Sequence, residues 1–227
     1  FFLVEKYPTG LEEHFTVCYW DQRGGGLSVS PDVTLESLTL GQLAADMIEV
    51  TNYLRERFGK EKIYVMAHSG GTAFAIRAVA GNPQLFHAYI GMAQITRQAE
   101  SEKLAYRYMV DRYAAEGNNK MVNEFGKYPI DEDDSFLLPF FNSVLRDKSM
   151  HELGIGTMRN MTSIMRGVFY PVWTCRAYTL REKINIWRSK FSFVNKSGLR
   201  AEVLALDMAE SVPALEVPVY FFSGRHD

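Results

Sequence analysis

One stretch limits the folds open to this chain more than any other: Ile63-Tyr64-Val65-Met66-Ala67-His68-Ser69-Gly70-Gly71-Thr72. An apolar run reaches a serine through a small residue, Ala67, and small residues follow at once. That order sets a nucleophilic serine on a sharp strand-to-helix turn, which strains the backbone and pushes the Ser69 hydroxyl out of the top edge of a sheet. Small neighbours are expected because a side chain there would collide with the turn. About one chain of this length in six matches Ala67–Gly71 by accident, so the flanking sequence has to carry the reading. Lys62 to Ala67 reads as a short buried strand, continuous rather than alternating, as in a parallel sheet covered on both faces. Residues 72–80 read as a helix with a small-residue face, and Gly81-Asn82-Pro83 stops it. The competing reading is a tight turn with a helix-capping serine.

The elements around this turn alternate. Phe15 to Trp20 is β-branched and aromatic, hence a strand. It runs into Asp21-Gln22-Arg23-Gly24-Gly25-Gly26-Leu27-Ser28, a loop that three glycines keep from being helical. Thr39 opens a helix with Gln42 at capping-box spacing. Leu40, Leu43, Met47, Val50, Leu54 and Phe58 give it one buried face, and Gly59 ends it. A further strand follows at about Phe86 to Met92. Strand, helix, strand, helix, strand predicts an open parallel sheet with right-handed crossovers.

Beyond Ala93 the texture changes to Met, Tyr, Phe, Arg and Asn, without a convincing strand until Val217-Pro-Val-Tyr-Phe-Phe-Ser223. Segments near 98–116, 119–126, 135–149 and 174–190 can be helices, with Asp131–Asp134 a polar break. A helical insertion between two strands of one sheet is the layout of a cap over an active site. The expected organisation is 1–96 as the first part of an α/β core, 97–213 as a helical cap and 214–227 as the resumed core. An independent helical domain is the alternative.

Charge and composition exclude several classes. A formal net charge of -2 over 227 residues gives no electrostatic reason to expect nucleic acid or an anionic membrane as partner. No apolar run approaches the length of a spanning helix. Cys18 and Cys175 do not make a disulfide framework and read as packing residues. No signal peptide is visible, and a cytoplasmic protein without cofactor or metal is expected. Asn160-Met-Thr and Asn195-Lys-Ser fit the glycosylation pattern, which carries weight only in a secreted protein.

These residues resemble the α/β-hydrolase superfamily, and within it the proline-iminopeptidase group of serine peptidases and their esterase relatives. Asp21-Gln-Arg-Gly-Gly-Gly-Leu-Ser28 resembles that group's Asp-Gln-Arg-Gly-x-Gly-x-Ser loop. Ala67-His-Ser-Gly-Gly71 resembles its nucleophile elbow, and Gly224-Arg-His-Asp227 the turn that bears its catalytic acid. The resemblance implies Ser69 as nucleophile, Asp227 as acid, and the Gly70 N–H as an oxyanion donor. It implies a small-molecule or short-peptide substrate held between sheet and cap, and no cofactor. The group carries Trp after the nucleophile where this chain has Gly70. Its His-Gly-Gly-Pro-Gly-like loop would precede Phe1, and its catalytic histidine would follow Asp227. The expectation is therefore an internal piece of a longer hydrolase.

None of the five histidines present fits the role of base, which must reach Ser69 within about 3 Å while an acid orients it. His68 flanks the nucleophile, His226 adjoins the acid, His14 and His87 lie at strand flanks, and His151 falls in the cap. Asp21 and Arg23 read as structural members of the glycine loop. Glu202, Asp207, Glu210 and Asp131–Asp134 are the carboxylates that could hold a substrate amino group, though charge runs are usually solvated. Phe169, Tyr170, Trp173 and Tyr178 could line an acyl pocket or form cap core. A phosphate-binding loop is excluded because no lysine stands between Gly71 and Thr72, and Ser at the elbow argues against haloalkane- or epoxide-type hydrolases, which use Asp. Two functions stay open: a serine hydrolase of a small peptide, amide or ester, or a non-catalytic binding protein on the same fold.

Overall fold

Among the described residues, three parallel strands end at one edge of a sheet, and that edge carries the turn around Ser69. The computed structural model describes residues 8–156, 165–189 and 196–225. They fall into two units, one formed by residues 39–157 and 198–227, the other by 1–38 and 158–197.

In the larger unit, helix α1 (Leu40–Phe58) opens on Thr39, whose hydroxyl accepts the Gln42 N–H at 3.1 Å. Such a cap stabilises by about 1 kcal/mol. The reciprocal half of the capping box does not form. Gln42 Nε2 instead donates forward to Asp46 Oδ1 at 2.8 Å, and the Leu40 N–H is taken by Glu202 Oε2 at 2.8 Å. Leu40, Leu43 and Met47 are buried as expected. Phe58 is exposed, because the burial of α1 ends near Thr51 and its last turns stand in solvent. Gly59 closes the helix in the left-handed region at φ 60°.

Strands β1 (Ile63–His68), β2 (Phe86–Met92) and β3 (Val219–Phe222) pair in that order, all parallel. Helix α2 (Thr72–Gly81) connects the first two and packs on both. It buries Ala73, Phe74, Ala75, Ile76, Ala78 and Val79, so its small residues do bring it close to the sheet. The register sets Ile90 between Met66 and Tyr220, and Met92 between His68 and Phe222.

The expectation of a strand buried on both faces is corrected at β1. Tyr64 and Met66 are 55% and 47% exposed, and Tyr220 and Phe222 on the same sheet face are exposed too. Burial therefore alternates along β1, as it does where only one face packs inward, while on β3 Phe221 is exposed as well as its neighbours Tyr220 and Phe222. A second correction concerns Phe15–Trp20, which joins no ladder among the described residues. β-Branched and aromatic content favours a strand only where a partner edge is supplied. Cys18, expected in that strand's packing, is exposed, while Cys175 is buried.

Helices α3 (Gln98–Ala115), α4 (Asn119–Phe125), α5 (Leu137–Phe141) and α6 (Val144–Leu153) follow β2. The segment expected as one helix over 135–149 is broken, because Ser143 adopts extended backbone and caps α6 by accepting the Arg146 N–H at 3.1 Å. Tyr106, Met109, Tyr113, Phe125, Ile130, Leu137 and Phe140 form one apolar cluster, with Tyr106 and Phe140 edge-on at 5.2 Å. Beside it lies a buried ion pair. Arg146 Nε and Nη2 donate to the two oxygens of Glu102 at 2.6 and 2.5 Å, and Gln98 Nε2 donates to Glu102 Oε1 at 2.6 Å. The Arg146 guanidinium also lies 4.9 Å from the Phe141 ring centroid. Burial works against its charge, but Glu102 and Asp147 outweigh that and hold it protonated more firmly than usual.

The smaller unit holds the glycine loop. The Asp21 carboxylate accepts the Leu27 N–H at 2.9 Å, and Ser28 Oγ donates to the Asp21 carbonyl at 2.6 Å. Gly26 sits at φ 48° with its missing side chain replaced by that carboxylate, so only glycine fits. Asp21 thus serves the loop's own closure, as expected of a structural residue. Ser189 Oγ donates to the Gly24 carbonyl. The helix expected over 174–190 starts later, at Leu180. Thr179 and Glu182 form a full capping box there, with Thr179 N–H donating to Glu182 Oε2 at 2.7 Å. Phe169 packs against Trp173 at 5.8 Å and Trp187 at 5.1 Å, and Tyr178 is buried. Phe169, Trp173 and Trp187 are half-buried against one another, and Tyr170 is exposed. No helix among the described residues is long and apolar enough to cross a membrane.

Truncating Glu102 to Ala removes both forked bonds from the Arg146 charge and leaves it only the half-exposed Asp147, at 2.9 Å, as a partner. The expected cost is about 3–5 kcal/mol, read as a lowered midpoint in urea unfolding, with replacement of both partners by apolar residues recovering most of it.

Candidate active site

Ser69 follows the last residue of β1 and has φ 49°, in the left-handed region that L side chains rarely adopt. A non-glycine residue held there costs about 1–3 kcal/mol and persists only where its surroundings over-determine it. Ser69 is exposed at the carboxyl edge of the sheet, the edge where open parallel sheets bind ligands. The strained strand-to-helix turn expected at this position is what the backbone forms. Gly70 and Gly71 make the first turn that leads into α2, so the Gly70 N–H is among the donors that a helix start leaves without helical partners.

The reason given for small neighbours is corrected. A Cβ built at Gly70 or Gly71 meets nothing within 4 Å, and neither backbone lies in the left-handed region. Steric crowding does not exclude larger residues there. It does at Gly91, beside Ala67 in the register, where a Cβ would lie 2.7 Å from Gln94 Oε1 and 3.2 Å from the Tyr89 ring.

A second strained residue stands next to the first. Ala93 also has φ 49°, and it follows β2 as Ser69 follows β1. Its N–H donates to the Phe222 carbonyl of β3 at 2.8 Å. The loop after it is braced from the core. The Tyr89 hydroxyl, whose pKa burial pushes up, donates to Gln94 Oε1 at 2.7 Å, and Gln94 Nε2 donates to the Ile95 carbonyl at 2.9 Å. Between the two turns stands Thr72, with no exposed surface. Its hydroxyl donates to the Ser69 carbonyl at 2.6 Å and accepts the Ile95 N–H at 3.0 Å. Neither Thr72 nor Ala93 stood out in the sequence as a site residue. The signal for Thr72 was a hydroxyl three positions after the serine; for Ala93 there was none.

The catalytic acid expected at Asp227 lies outside the described residues, as does His226. β3 ends at Phe222, at the same edge as Ser69. No histidine among the described residues bonds to the Ser69 hydroxyl: His68 and His14 are exposed, and His87 stacks 5.0 Å from the Tyr64 ring. The carboxylates considered for a substrate amino group are largely engaged elsewhere. Glu202 caps α1. Asp131 pairs with Arg107 at 2.8 Å and Asp134 with Lys103 at 2.5 Å. Asp207 caps Met208–Ser211 and pairs with Arg97 at 2.9 Å. The Glu210 N–H and then the Arg97 guanidinium hold the Asp207 carboxyl below its ordinary range. Among the described residues no group of three or more His, Cys, Asp or Glu gathers to hold a metal ion.

With this geometry the similarities to known proteins become interpretable. The chain belongs to the α/β-hydrolase superfamily, as a family model and a relative together show. Residues 11–120 match the family model described as serine aminopeptidase, S33. The whole of the chain also aligns with the probable aminopeptidase YbaC of Bacillus subtilis (strain 168), 31% identical over 234 residues, covering 99% of this chain and 68% of that protein.

Because nothing crowds them, Gly70→Ala and Gly71→Ala are expected to leave the unfolding free energy within about 1 kcal/mol of the parent. Gly91→Ala, which drives a methyl into the Tyr89–Gln94 pair, is expected to cost about 1–3 kcal/mol. Denaturant titration of the three variants separates these outcomes.

Proposed function

We propose that this protein is a serine hydrolase that cleaves a small peptide, amide or ester through an acyl-enzyme, with aminopeptidase action of the proline-iminopeptidase kind the preferred specificity. One observation carries the reading: an exposed serine held at positive φ between a parallel strand and the helix after it. Strain of that kind at the carboxyl edge of a sheet marks a nucleophile elbow. The similarity to a probable aminopeptidase supports the peptidase side.

In this mechanism Ser69 Oγ attacks the substrate carbonyl carbon. A serine hydroxyl is a weak nucleophile at neutral pH, so a histidine takes its proton as the bond forms. Asp227 holds that histidine in the required tautomer and stabilises its charged form. Strands β1 and β3 stand two strand spacings apart, roughly 10 Å, a gap suited to an imidazole bonded at both ends. The Gly70 N–H donates to the oxyanion, and losing such a donor costs about 2.7–4 kcal/mol of barrier. The histidine then gives its proton to the leaving amine or alcohol, and water releases the acyl group.

A fluorophosphonate probe tests the reading in the full-length protein. Covalent labelling at Ser69, abolished in Ser69→Ala, is expected, together with turnover of aminoacyl anilides or short acyl esters. A folded protein that neither labels nor turns over any of them is instead a binding protein on a hydrolase fold.

A further inference from the structure

We infer that Thr72 is a positioning residue that aims the oxyanion donor of Gly70 by gripping the opposite end of the same peptide unit. This rests on the reading of Ser69 as nucleophile. The Ser69 carbonyl and the Gly70 N–H belong to one planar trans peptide, so they point in opposite directions. Whatever fixes the carbonyl fixes the N–H. The Thr72 hydroxyl takes that carbonyl at 2.6 Å from the protein side, which turns the N–H of Gly70 the other way.

The hydroxyl has little freedom to do anything else. A threonine oxygen has one proton and two lone pairs. The Ile95 N–H occupies a lone pair at 3.0 Å, and the proton goes to Ser69. Thr72 is fully buried, so water has no access to take over either bond. The far anchor is itself fixed. Ile95 has its carbonyl held by Gln94, and its neighbour Thr96 accepts the Met208 N–H at 3.0 Å. Arg97 continues the brace through its pair with Asp207. The peptide after Ser69 is therefore tied by one hydroxyl to a loop secured at several points, and not merely to its own helix. The link thus ties the strained residue Ser69 to the loop that follows the strained residue Ala93.

The consequence is kinetic. Removing an oxyanion donor outright costs about a hundred- to a thousandfold in kcat. Thr72→Val keeps the shape and removes only the hydroxyl, leaving the donor present but free to swing. The expected loss is about ten- to a hundredfold in kcat, with KM within about threefold, because substrate binding does not use the oxyanion contact. Thr72→Ser is expected to stay within about threefold of the parent, and Thr72→Cys, a weaker donor, to fall between Ser and Val. The experiment measures kcat and KM on a short-chain nitrophenyl ester, and the rate of fluorophosphonate labelling, for the parent and the Ser, Cys, Val and Ala variants. Cooperative urea unfolding of each variant is checked first; if Val or Ala fails that check, the Ser-to-Cys difference decides. Equal rates across the folded variants, or Thr72→Ser as slow as Thr72→Val, overturn the proposal while leaving Ser69 labelled in the parent. A parent that does not label overturns the reading of Ser69 itself, and this inference with it.

Discussion

A left-handed serine is the constraint around which the larger unit is arranged. The φ of 49° at Ser69 is unfavourable for any residue with a side chain, so the surrounding structure has to impose it. It does so from several directions. β1 delivers the chain in register with β2, α2 takes it away immediately, and Thr72 ties the turn to the loop beyond the neighbouring strand. Among the described residues the sheet is small, three strands of four to seven residues. Its stiffness at this edge comes from the bonds between the turns rather than from the length of its ladders.

The remainder of the same unit is organised by charge as well as by apolar packing. The cluster around Phe125 and Phe140 supplies the bulk, and Glu102–Arg146 lies along its flank with nearly every polar atom engaged. A buried pair of this geometry gains little over apolar substitutes but is costly to break singly. It therefore acts more as a lock on the mutual placement of α3 and α6 than as a source of net stability. Arg200, held by Asn142 at 2.6 Å and lying over the Phe141 ring at 5.6 Å, extends the lock to the helix Leu199–Leu204.

Features set by local geometry were legible in the sequence. The strand-turn-helix around Ser69, the Thr39 cap, the Gly59 stop and the strand at Phe86–Met92 each follow from residue types within a few positions of one another. Features that need a distant partner were not. Phe15–Trp20 has the composition of a strand but finds no ladder among the described residues, since pairing belongs to two segments and not to one. The exposure of Tyr64 and Met66 depends on which sheet face is covered, and no local pattern records that. The fork between Glu102 and Arg146 spans 44 positions, and either residue alone reads as an ordinary surface charge. Thr72 is intermediate: its bond to Ser69 is a short-range motif, while its bond to Ile95 exists only once β2 is in place. The residues after Ser69 are small as the motif requires, but open space and not crowding surrounds them.

The carboxylate of Glu202 at the first amide of α1 joins positions 162 apart along the chain. A helix start completed from so far away cannot finish forming when its own residues emerge. Chain closure over such a span is entropically expensive and slow. The first amide of α1 is thus a late joint in assembly: Thr39 secures the turn behind it locally, but the Leu40 N–H gains its partner, and its protection against solvent exchange, only with the docking of the residues around 200.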